Sequence, residues 1–379
     1  MYKISTLNKI SKVGLSRLDD QYIITDKTEE ANGILVRSQD MHSMEFSDSL
    51  MSIARAGAGV NNIPLDACAE KGIVVFNTPG ANANAVKELV IAGLLLAARH
   101  IPAALSWAAS LTEGVSAAVE KGKSQFAGTE ISGKTLGIAG LGAIGKKVAV
   151  SAEALGMNVL GYDPYFSGQA PDGVTMYDSL SDMLPLCDYI TIHIPATDST
   201  RGMFNKDVFA FAKEKAVLLN FSRDKLINET DLLVALESGK LSCYVTDFPN
   251  DALAGRDNVI LLPHLGASTA EAEDNCASMA VEQTMDFFEN GNIRNSVNFP
   301  AVDMGPIGDK ARISVFTKDM DDPVNQVMES VSLGDIKVSR AEGAVRGRFG
   351  YVLLETDSAD APPLVFYDER IIRSRTFTK

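Results

Sequence analysis

The segment Gly140-Leu-Gly142-Ala-Ile-Gly145 constrains the fold more than any other part of the chain. It lies between a short apolar run, Leu136–Ala139, and a helical pattern over Ala143–Leu155. At this spacing the first glycine permits a tight turn, the second lets the backbone approach a pyrophosphate, and the third lets the helix pack against the strand. Unpaired N–H groups and the helix dipole favour a negative charge at the start of that helix. The segment therefore predicts a strand–turn–helix unit that binds a dinucleotide.

Asp163 specifies which dinucleotide this is. It ends the next strand pattern, Asn158–Tyr162, and lies 18 residues after Gly145. An acidic side chain there accepts hydrogen bonds from a ribose diol and repels a 2′-phosphate, and no Arg or Lys follows nearby. The residues therefore predict NAD rather than NADP as the cofactor. The alternative is a glycine-rich turn followed by an aspartate by chance.

Six strand patterns with helical patterns between them predict an open, doubly wound parallel sheet, the Rossmann arrangement. These patterns are Leu136–Ala139, Asn158–Tyr162, Tyr189–His193, Ala216–Phe221, Cys243–Thr246 and Val259–Leu262. Residues 1–100 also alternate short apolar runs with helical spacing, which predicts a second, flavodoxin-like parallel α/β unit.

The changes of pattern predict three domains. We expect a substrate-binding domain at 1–97 plus 270–300, an NAD-binding domain at 98–269, and a small α+β domain at 309–379 after a linker. The irregular segment 101–130, which contains Trp107, either wraps around its own domain or contacts another subunit.

Charge and cysteine usage exclude several classes of protein. Lys and Arg total 35 and Asp and Glu total 49, so the formal net charge is −14. That charge argues against nucleic acid and membrane surfaces as partners. The four cysteines show no CxxC spacing, so we expect neither disulfides nor a metal site. The longest apolar run, Leu89–Ala98, is too short to span a bilayer, and the N-terminus lacks the apolar segment of a signal peptide. We expect a soluble, cytoplasmic protein that acts on a small molecule.

The candidate reacting groups lie after strands of the predicted sheet. Hydride transfer from an alcohol needs a base for the hydroxyl proton and a cation for an anionic substrate. Ligands of such sheets bind beyond the carboxyl ends of the strands. His264 follows the last strand and is the best candidate base, whereas His42, His100 and His193 fit structural roles better. Arg223 follows a neighbouring strand, where its fork can bind a carboxylate, or else form a surface salt bridge.

Six segments resemble the D-2-hydroxyacid dehydrogenases and occur in that family's order over most of residues 30–300. They are Arg55–Val60, Asn77–Pro79, Gly140–Gly145, Gly161–Pro164, Asn220–Arg223 and Pro263–Thr269. The resemblance implies NAD-dependent oxidation of a D-2-hydroxy acid between two α/β domains, by a homodimer or homotetramer. Within the family the similarity is greatest to the enzymes that act on D-3-phosphoglycerate. Two alternatives remain, a dehydrogenase for glycerate, lactate or another D-2-hydroxy acid, and an NAD-sensing binding protein with weak activity.

The resemblance also implies a catalytic triad of an Arg, a carboxylate and a His. Arg223 and His264 match the first and the last. The carboxylate is usually a Glu, but the segment Thr246–Asp251 is one residue shorter than the family's pattern and places Asp251 there. Asp224 stands where the family commonly has Gly, next to the substrate-binding Arg.

The remaining site residues are likewise implied by the resemblance. Those expected to contact NAD are Ala58, Gly140, Gly142, Ala143, Ile144, Gly145, Asp163, His193, Ile194, Pro195, Phe221, Ser222, Asp247, His264, Gly266 and Ala267. Those expected to contact an anionic substrate are Arg37, Arg55, Ala56, Gly57, Asn82 and Lys87. The C-terminal residues 311–379 resemble an ACT regulatory domain, although the turn Thr317–Pro323 lacks the Asn and Gly of the serine-binding version. Effector binding and an assembly role therefore both stay open for this domain.

Overall fold

The computed structural model describes residues 1–332, 336–359, 366 and 368–378. The chain forms two compact units, Met1–Asn82 with Ala270–Lys379, and Ala83–Thr269. Two features of this division differ from the predicted domains. The helix Ala83–Ala98 packs within the second unit, and the C-terminal residues group with the first.

The N-terminal part of the first unit is a parallel sheet with helices against it. Its strands are β1 (Tyr2–Leu7), β2 (Tyr22–Thr25), β3 (Gly33–Val36), β4 (Ser52–Arg55) and β5 (Val74–Phe76), and its helices are α1 (Lys12–Leu15) and α2 (Leu65–Glu70). The strand order is β2-β1-β3-β4-β5, and every pair is parallel. This confirms the predicted parallel α/β unit. The first two strands were not predicted, because Ile23 and Ile24 of the edge strand β2 are exposed and give no core pattern.

The second unit is a doubly wound parallel sheet, as predicted. Its helices are α3 (Ala83–Ala98), α4 (Ile101–Ala109), α5 (Val115–Gly122), α6 (Ala143–Ala154), α7 (Leu180–Met183), α8 (Lys206–Phe211) and α9 (Glu229–Glu237). Its strands are β6 (Thr135–Ala139), β7 (Asn158–Tyr162), β8 (Val174–Tyr177), β9 (Tyr189–Ile192), β10 (Ala216–Asn220), β11 (Leu241–Thr246) and β12 (Val259–Leu261).

The order of these seven strands is β12-β11-β10-β9-β6-β7-β8. The chain reverses direction across the sheet between β6 and β9, which is the point where sheets of this type bind their ligands. The six predicted strands are all present. The seventh, β8, is an edge strand with no fully buried residue, so it lacks the apolar run that marks the others.

The C-terminal part of the first unit begins with α10 (Ala270–Asn290), which packs on the parallel sheet. It continues with β13 (Arg312–Lys318), α11 (Pro323–Ser332), β14 (Val338–Arg346), β15 (Phe349–Thr356) and β16 (Ile371–Phe377). These four strands form an antiparallel sheet in the order β14-β15-β13-β16. The predicted α+β structure of residues 309–379 is confirmed for the described part of this segment, whereas the ACT-like character stays a prediction.

The antiparallel sheet shares a hydrophobic core with the parallel one. Phe316, Tyr351 and Leu353 belong to the same buried cluster as Ile4 and Phe288. The opposite face of the antiparallel sheet packs against α11 through a second buried cluster. Both faces are thus covered, and one of them is part of the core of the first unit.

Two half-buried arginines of β16, Arg373 and Arg375, connect the two sheets of this unit. Arg375 donates to the hydroxyl of Tyr2 and to the carbonyl oxygen of Phe288. The guanidinium of Arg373 donates to the carbonyl oxygen of Leu50 at 2.6 Å. Burial lowers the pKa of both arginines, so these hydrogen bonds compensate groups that have left water.

Helices α4 and α5 contain no buried residue. Leu105 is 64% exposed and Val115 is 46% exposed, while Trp107 packs on Phe126 with 5.2 Å between the ring centroids. Among the described helices none is by itself both long and apolar enough to cross a membrane, although α3 and α4 together, bent by 69°, satisfy the criteria of length and hydropathy.

Candidate active site

The glycine loop has the geometry that a bound pyrophosphate requires. Gly140 has a φ of +97°, and a Cβ on Gly145 would lie 2.0 Å from the carbonyl oxygen of Gly140. A Cβ on Gly142 would meet nothing within 4 Å, so the space in front of this residue is open. Gly142 is also the N-cap of α6 and offers no side chain to its first N–H groups. The N-terminus of α6 therefore has both open space and unpaired N–H donors, and these residues fit a dinucleotide phosphate.

The carboxylate of Asp163 is fixed beside this loop. Its Oδ2 accepts a hydrogen bond from the backbone N–H of Leu141 at 2.9 Å, and its Oδ1 accepts one from Tyr165 at 3.0 Å. Each carboxylate oxygen can accept a further hydrogen bond, so a ribose diol can still bind there. The structure thus places Asp163 where the sequence predicted it.

Four adjacent strands present polar side chains at their carboxyl ends. His193 follows β9, Arg223 follows β10, Asp247 follows β11 and His264 follows β12. The candidate reacting groups therefore lie on the same edge of the sheet as the glycine loop, which follows β6. This is the arrangement that the sequence predicted for Arg223 and His264.

Arg223 is exposed and its backbone is held in place. The side-chain amide of Asn220 donates to the carbonyl oxygen of Arg223 at 2.9 Å. The guanidinium Nη1 of Arg223 donates to the carbonyl oxygen of Ser222 at 2.6 Å. Within the described part of the chain no carboxylate forms an ion pair with Arg223, so its exposed guanidinium can bind an anionic ligand. The salt-bridge alternative for Arg223 therefore finds no support here.

His264 lies in a strained turn. Its φ is +50°, and its backbone N–H donates to the carbonyl oxygen of Asp247 at 3.1 Å. The imidazole is exposed and meets the ring of Phe248 edge-on, with 5.1 Å between the centroids. Positive φ in a residue other than glycine persists only where the surroundings hold it, and such strain is typical of functional positions.

Asp247 is the buried carboxylate of this edge. It is 1% exposed, its Oδ2 accepts a hydrogen bond from the backbone N–H of Gly266 at 2.8 Å, and its Oδ1 has no partner among the described residues. Burial raises the pKa of Asp247, while the hydrogen bond from Gly266 and the nearby charges of His264 and Arg223 lower it in part. A buried oxygen without a partner fits a bound polar ligand such as the cofactor.

The structure does not bring Asp251 to His264. Asp251 is exposed, and no hydrogen bond or ion pair joins it to His264 within the described residues. The assignment of Asp251 as the third member of the triad therefore stays a prediction. Asp224, next to Arg223, is also exposed and makes no ion pair with it in the described chain.

His193 has the environment of a structural residue. Burial lowers the pKa of its imidazole to about 3, so it is neutral at physiological pH. Its Nε2 shares a hydrogen bond of 3.0 Å with the hydroxyl of Thr191, while Nδ1 has no partner among the described residues. Ser222 donates to the carbonyl oxygen of the buried Ile194 at 2.8 Å. These groups line the same edge, beside the exposed Pro195 and the buried Phe221.

The first unit has its own cationic edge. Arg37 follows β3 and Arg55 ends β4, and the Nε of Arg55 donates to the carbonyl oxygen of Arg37 at 3.0 Å. The Nη1 of Arg37 forms an ion pair of 2.6 Å with Glu273 of α10. Glu273 could not be predicted from the sequence, because it belongs to no recognisable motif. Gly57 has a φ of +145°, a conformation that other residues rarely adopt, and a guanidinium nitrogen of Arg55 lies 1.6 Å from where its Cβ would be.

The turn after β4 uses part of its hydrogen-bonding capacity internally. The N–H of Ala56 donates to Val36 at 2.8 Å and that of Gly57 donates to Arg55 at 2.9 Å. The carbonyl oxygen of Ala58 accepts from the side chain of Asn77 at 2.8 Å. A carboxylate can bind to the N–H groups of Ala56 and Gly57 only if these contacts change.

The last two predicted substrate residues lie around the start of α3. This helix begins at Ala83. Lys87 is largely buried and its Nζ lies 3.5 Å from Glu88, while Asn82 is half-buried. Lys87 belongs to the second unit and Asn82 to the first.

Residues 91–266 match the sequence model of the family described as D-isomer specific 2-hydroxyacid dehydrogenase, NAD binding domain. This range lies within the second unit, which carries the glycine loop, Arg223 and His264. The second unit therefore contains an NAD-binding domain of the D-isomer specific 2-hydroxyacid dehydrogenases, and NAD is its cofactor.

Individual relatives refine this class. The D-3-phosphoglycerate dehydrogenase of Methanocaldococcus jannaschii is 34% identical over 337 residues, which cover 86% of this chain and 63% of that protein. The chain spans 52% to 63% of the length of the curated relatives it matches.

Two solved structures share the fold. The NADPH-dependent glyoxylate/hydroxypyruvate reductase of Sinorhizobium meliloti, in complex with citrate, has a TM-score of 0.68 at 26% identity and covers 78% of this chain and 98% of that one. The NAD⁺-bound 3-phosphoglycerate dehydrogenase of Entamoeba histolytica has a TM-score of 0.63 at 26% identity, with the same two coverages.

Proposed function

We propose that this chain oxidises D-3-phosphoglycerate to 3-phosphohydroxypyruvate with NAD, reversibly, as in the first step of L-serine biosynthesis. The observation that carries the proposal is that Arg223, Asp247 and His264 follow three adjacent strands, at the edge where the glycine loop opens. The 34% identity to a D-3-phosphoglycerate dehydrogenase supports the choice of substrate.

The oxidation removes a hydride and a proton from the hydroxy acid. The glycine loop and Asp163 would hold NAD, which would supply the acceptor for the hydride from C2 of the hydroxy acid. His264 accepts the hydroxyl proton at a ring nitrogen and returns it in the reverse direction, since the ordinary pKa of an imidazole lies close to neutral pH. Arg223 binds the substrate carboxylate and polarises the reacting oxygen through its planar fork. Asp251, by resemblance to the family, orients the imidazole and stabilises its protonated form.

The phosphate of the substrate needs cations, and the first unit supplies two. Arg37 and Arg55 lie at neighbouring strand ends, and both are only half-buried. We assign the phosphate to this pair, with Asn82 of the same unit as a further polar contact. Two guanidinium groups make a local positive region in a chain whose net charge is −14.

The same proposal includes a homo-oligomer, a dimer or a tetramer. Helices α4 and α5 have no buried residue and expose Leu105 and Val115. A second copy of the chain would cover these apolar side chains. Leu105→Glu should then lower the mass measured by light scattering, whereas Glu113→Gln, in the loop between the two helices, should not.

The test of the function is NADH oxidation with a panel of 2-keto acids. We expect the largest kcat/KM with 3-phosphohydroxypyruvate and much smaller values with hydroxypyruvate, pyruvate and glyoxylate. A larger kcat/KM with one of the unphosphorylated acids would make the chain a dehydrogenase for that acid. Tight NADH binding without turnover of any of them would exclude an enzyme of this class.

A further inference from the structure

Arg37 and Arg55 lie side by side at the edge of the parallel sheet in the first unit. Val36 and Arg55 are register partners in the pairing of β3 with β4, so Arg37 follows directly beyond the end of that pair. The hydrogen bond of 3.0 Å from the Nε of Arg55 to the carbonyl oxygen of Arg37 fixes the two relative to each other. Their side chains thus form a small cationic group.

A carboxylate from a distant part of the chain already contacts this group. Glu273 lies in the first turn of α10, and its Oε1 is 2.6 Å from the Nη1 of Arg37. The two side chains are 38% and 43% exposed, so a ligand from solvent can reach them. The ion pair joins residues that are far apart in sequence, and it therefore exists only in the folded unit.

The thiol of Cys276, one turn further along α10, lies near the same charged groups. Burial raises the pKa of its thiol, the guanidinium groups of Arg55 and Arg37 lower it, and the carboxylate of Glu273 raises it. All three charged groups therefore act on the thiol of Cys276, which lies beside the ion pair of Arg37 with Glu273. Glu271 belongs to the same helical turn, but no ion pair to an arginine is found for it in the described chain.

We propose that Glu273 limits the affinity for the phosphorylated substrate, because it occupies Arg37 until the phosphate of the substrate displaces it. This inference rests on the proposed function. A phosphate dianion offers a guanidinium more charge and more acceptor oxygens than one carboxylate, so it can replace Glu273. A hydroxymethyl group at the same end of an unphosphorylated acid cannot. Glu273 therefore lowers the affinity for the phosphorylated substrate and keeps the cationic group neutralised towards weaker anions.

The competition should be visible as a split between KM and kcat. We expect Glu273→Gln to lower the KM for 3-phosphoglycerate about two- to fivefold at low ionic strength, which is the range for a half-exposed ion pair. The kcat should stay within twofold, because His264 and Arg223 are unchanged. The kcat/KM for D-glycerate should also stay within twofold. Glu271→Gln removes the same charge from the same turn and should change none of these values beyond 1.5-fold.

A double mutant shows whether the effect passes through Arg37. In the Arg37→Ala background, Glu273→Gln should no longer lower the KM for 3-phosphoglycerate. If Glu273→Gln raises that KM, Glu273 positions Arg37 for the substrate and the proposed competition is wrong. The inference is also wrong if Glu271→Gln lowers the KM for 3-phosphoglycerate equally, or if Glu273→Gln still lowers it in the Arg37→Ala background. Either result would show that the net negative charge of the helix, and not the contact with Arg37, changes the KM.

A binding measurement separates this inference from the proposed function. The shift of the thermal midpoint by 20 mM inorganic phosphate, compared with chloride at equal ionic strength, needs no turnover. We expect a larger shift in Glu273→Gln than in the wild type or in Glu271→Gln, and equal shifts would overturn the role of Glu273. If no variant turns over 3-phosphoglycerate while the phosphate shifts differ as expected, the proposed substrate fails and the competition for Arg37 stands.

Discussion

The buried carboxylate of Asp247 accepts a hydrogen bond of 2.8 Å from the backbone N–H of Gly266, two residues after His264. A second bond, from the N–H of His264 to the carbonyl oxygen of Asp247, spans 3.1 Å. Together they attach the loop that carries the imidazole to the end of the neighbouring strand. Because the φ of His264 is +50°, the turn needs this support, and its geometry follows from the position of Asp247.

Two carboxylates compete for the role of partner to His264. If Asp251 orients the imidazole, Asp251→Asn should lower kcat at least tenfold, because the protonated imidazole loses its stabilising charge. The acidic limb of the pH profile of kcat/KM should move to lower pH, since removal of a nearby negative charge lowers the pKa of the base. Steady-state kinetics from pH 5 to pH 9 measure both effects.

Asp257→Asn is the control, because it removes an equally exposed carboxylate from the same stretch of chain. It should leave kcat and the pH profile unchanged. An Asp251→Asn variant with the wild-type profile would exclude Asp251. The carboxylate already placed near His264 and Arg223, that of Asp247, would then be the remaining candidate.

The preference for NAD over NADP should depend on Asp163. Asp163→Asn removes the charge that repels a 2′-phosphate and leaves an oxygen that can accept the hydrogen bond from Leu141. We expect the ratio of kcat/KM for NAD to that for NADP to fall at least tenfold, mainly through the KM of the two cofactors. Asp172→Asn, in an exposed turn, should leave the ratio unchanged. An unaltered ratio in Asp163→Asn would show that other residues discriminate between NAD and NADP.

His193 should make the protein less stable in acid. Its pKa is about 3 in the folded chain against 6.5 for a free imidazole, so the unfolded chain binds a proton between these values that the folded chain does not. The free energy of unfolding therefore falls as the pH drops through this window, by at most about 1.4 kcal/mol per pH unit. His193→Gln should reduce the difference in unfolding free energy between pH 7 and pH 5 by about 1–2 kcal/mol in urea titrations.

The exposed His100 provides the control for this effect. His100→Asn keeps a residue type that tolerates the positive φ at this position, and it should retain the wild-type difference between pH 7 and pH 5. An equal difference in the wild type and in His193→Gln would show that other groups dominate the acid response.

Arg375 should be required to hold the antiparallel sheet on the first unit. Its guanidinium lies over the rings of Tyr2, Phe288 and Phe377 at 5.2, 5.8 and 4.3 Å from their centroids. Arg375→Met removes these contacts and leaves the carbonyl oxygen of Phe288 without this donor. We expect a loss of about 2–3 kcal/mol of stability and faster hydrogen exchange in β16.

The comparison for that variant is Arg370→Met. Arg370 pairs only with the nearby Asp368 among the described residues, at 2.7 Å on the surface. Loss of this ion pair should lower the free energy of unfolding by less than about 0.5 kcal/mol. If hydrogen exchange in β16 is equally fast in the two variants, the contacts of Arg375 do not hold this sheet in place.

The sequence predicted the second unit better than the first for a physical reason. Each of its central strands is buried on both sides and ends in a turn residue, so the apolar runs mark both the strands and the edge where Arg223 and His264 lie. The strands β2 and β8 lie at sheet edges with few buried residues, and their runs are too weak to recognise.

The partners of the charged side chains could not be predicted in the same way. The ion pair of Arg37 with Glu273 depends on where the N-terminus of α10 lies on the folded sheet, which no local pattern records. Likewise, the spacing after β11 placed Asp251 near the expected position of a carboxylate but did not determine where its side chain points. Asp247 was expected only as a contact of NAD, although its place directly after a buried strand also marks it as a candidate for the carboxylate of the site.

The proton transfer assigned to His264 is tested most directly by the kcat of His264→Gln for NADH-dependent reduction of the best 2-keto acid. The account predicts a loss of about 10²–10⁴-fold in kcat, with the Kd for NADH, measured by fluorescence, within threefold of the wild type. His42→Gln, which alters an exposed histidine of the first unit, should keep the wild-type kcat. A His264→Gln variant that retains the wild-type kcat would contradict the account.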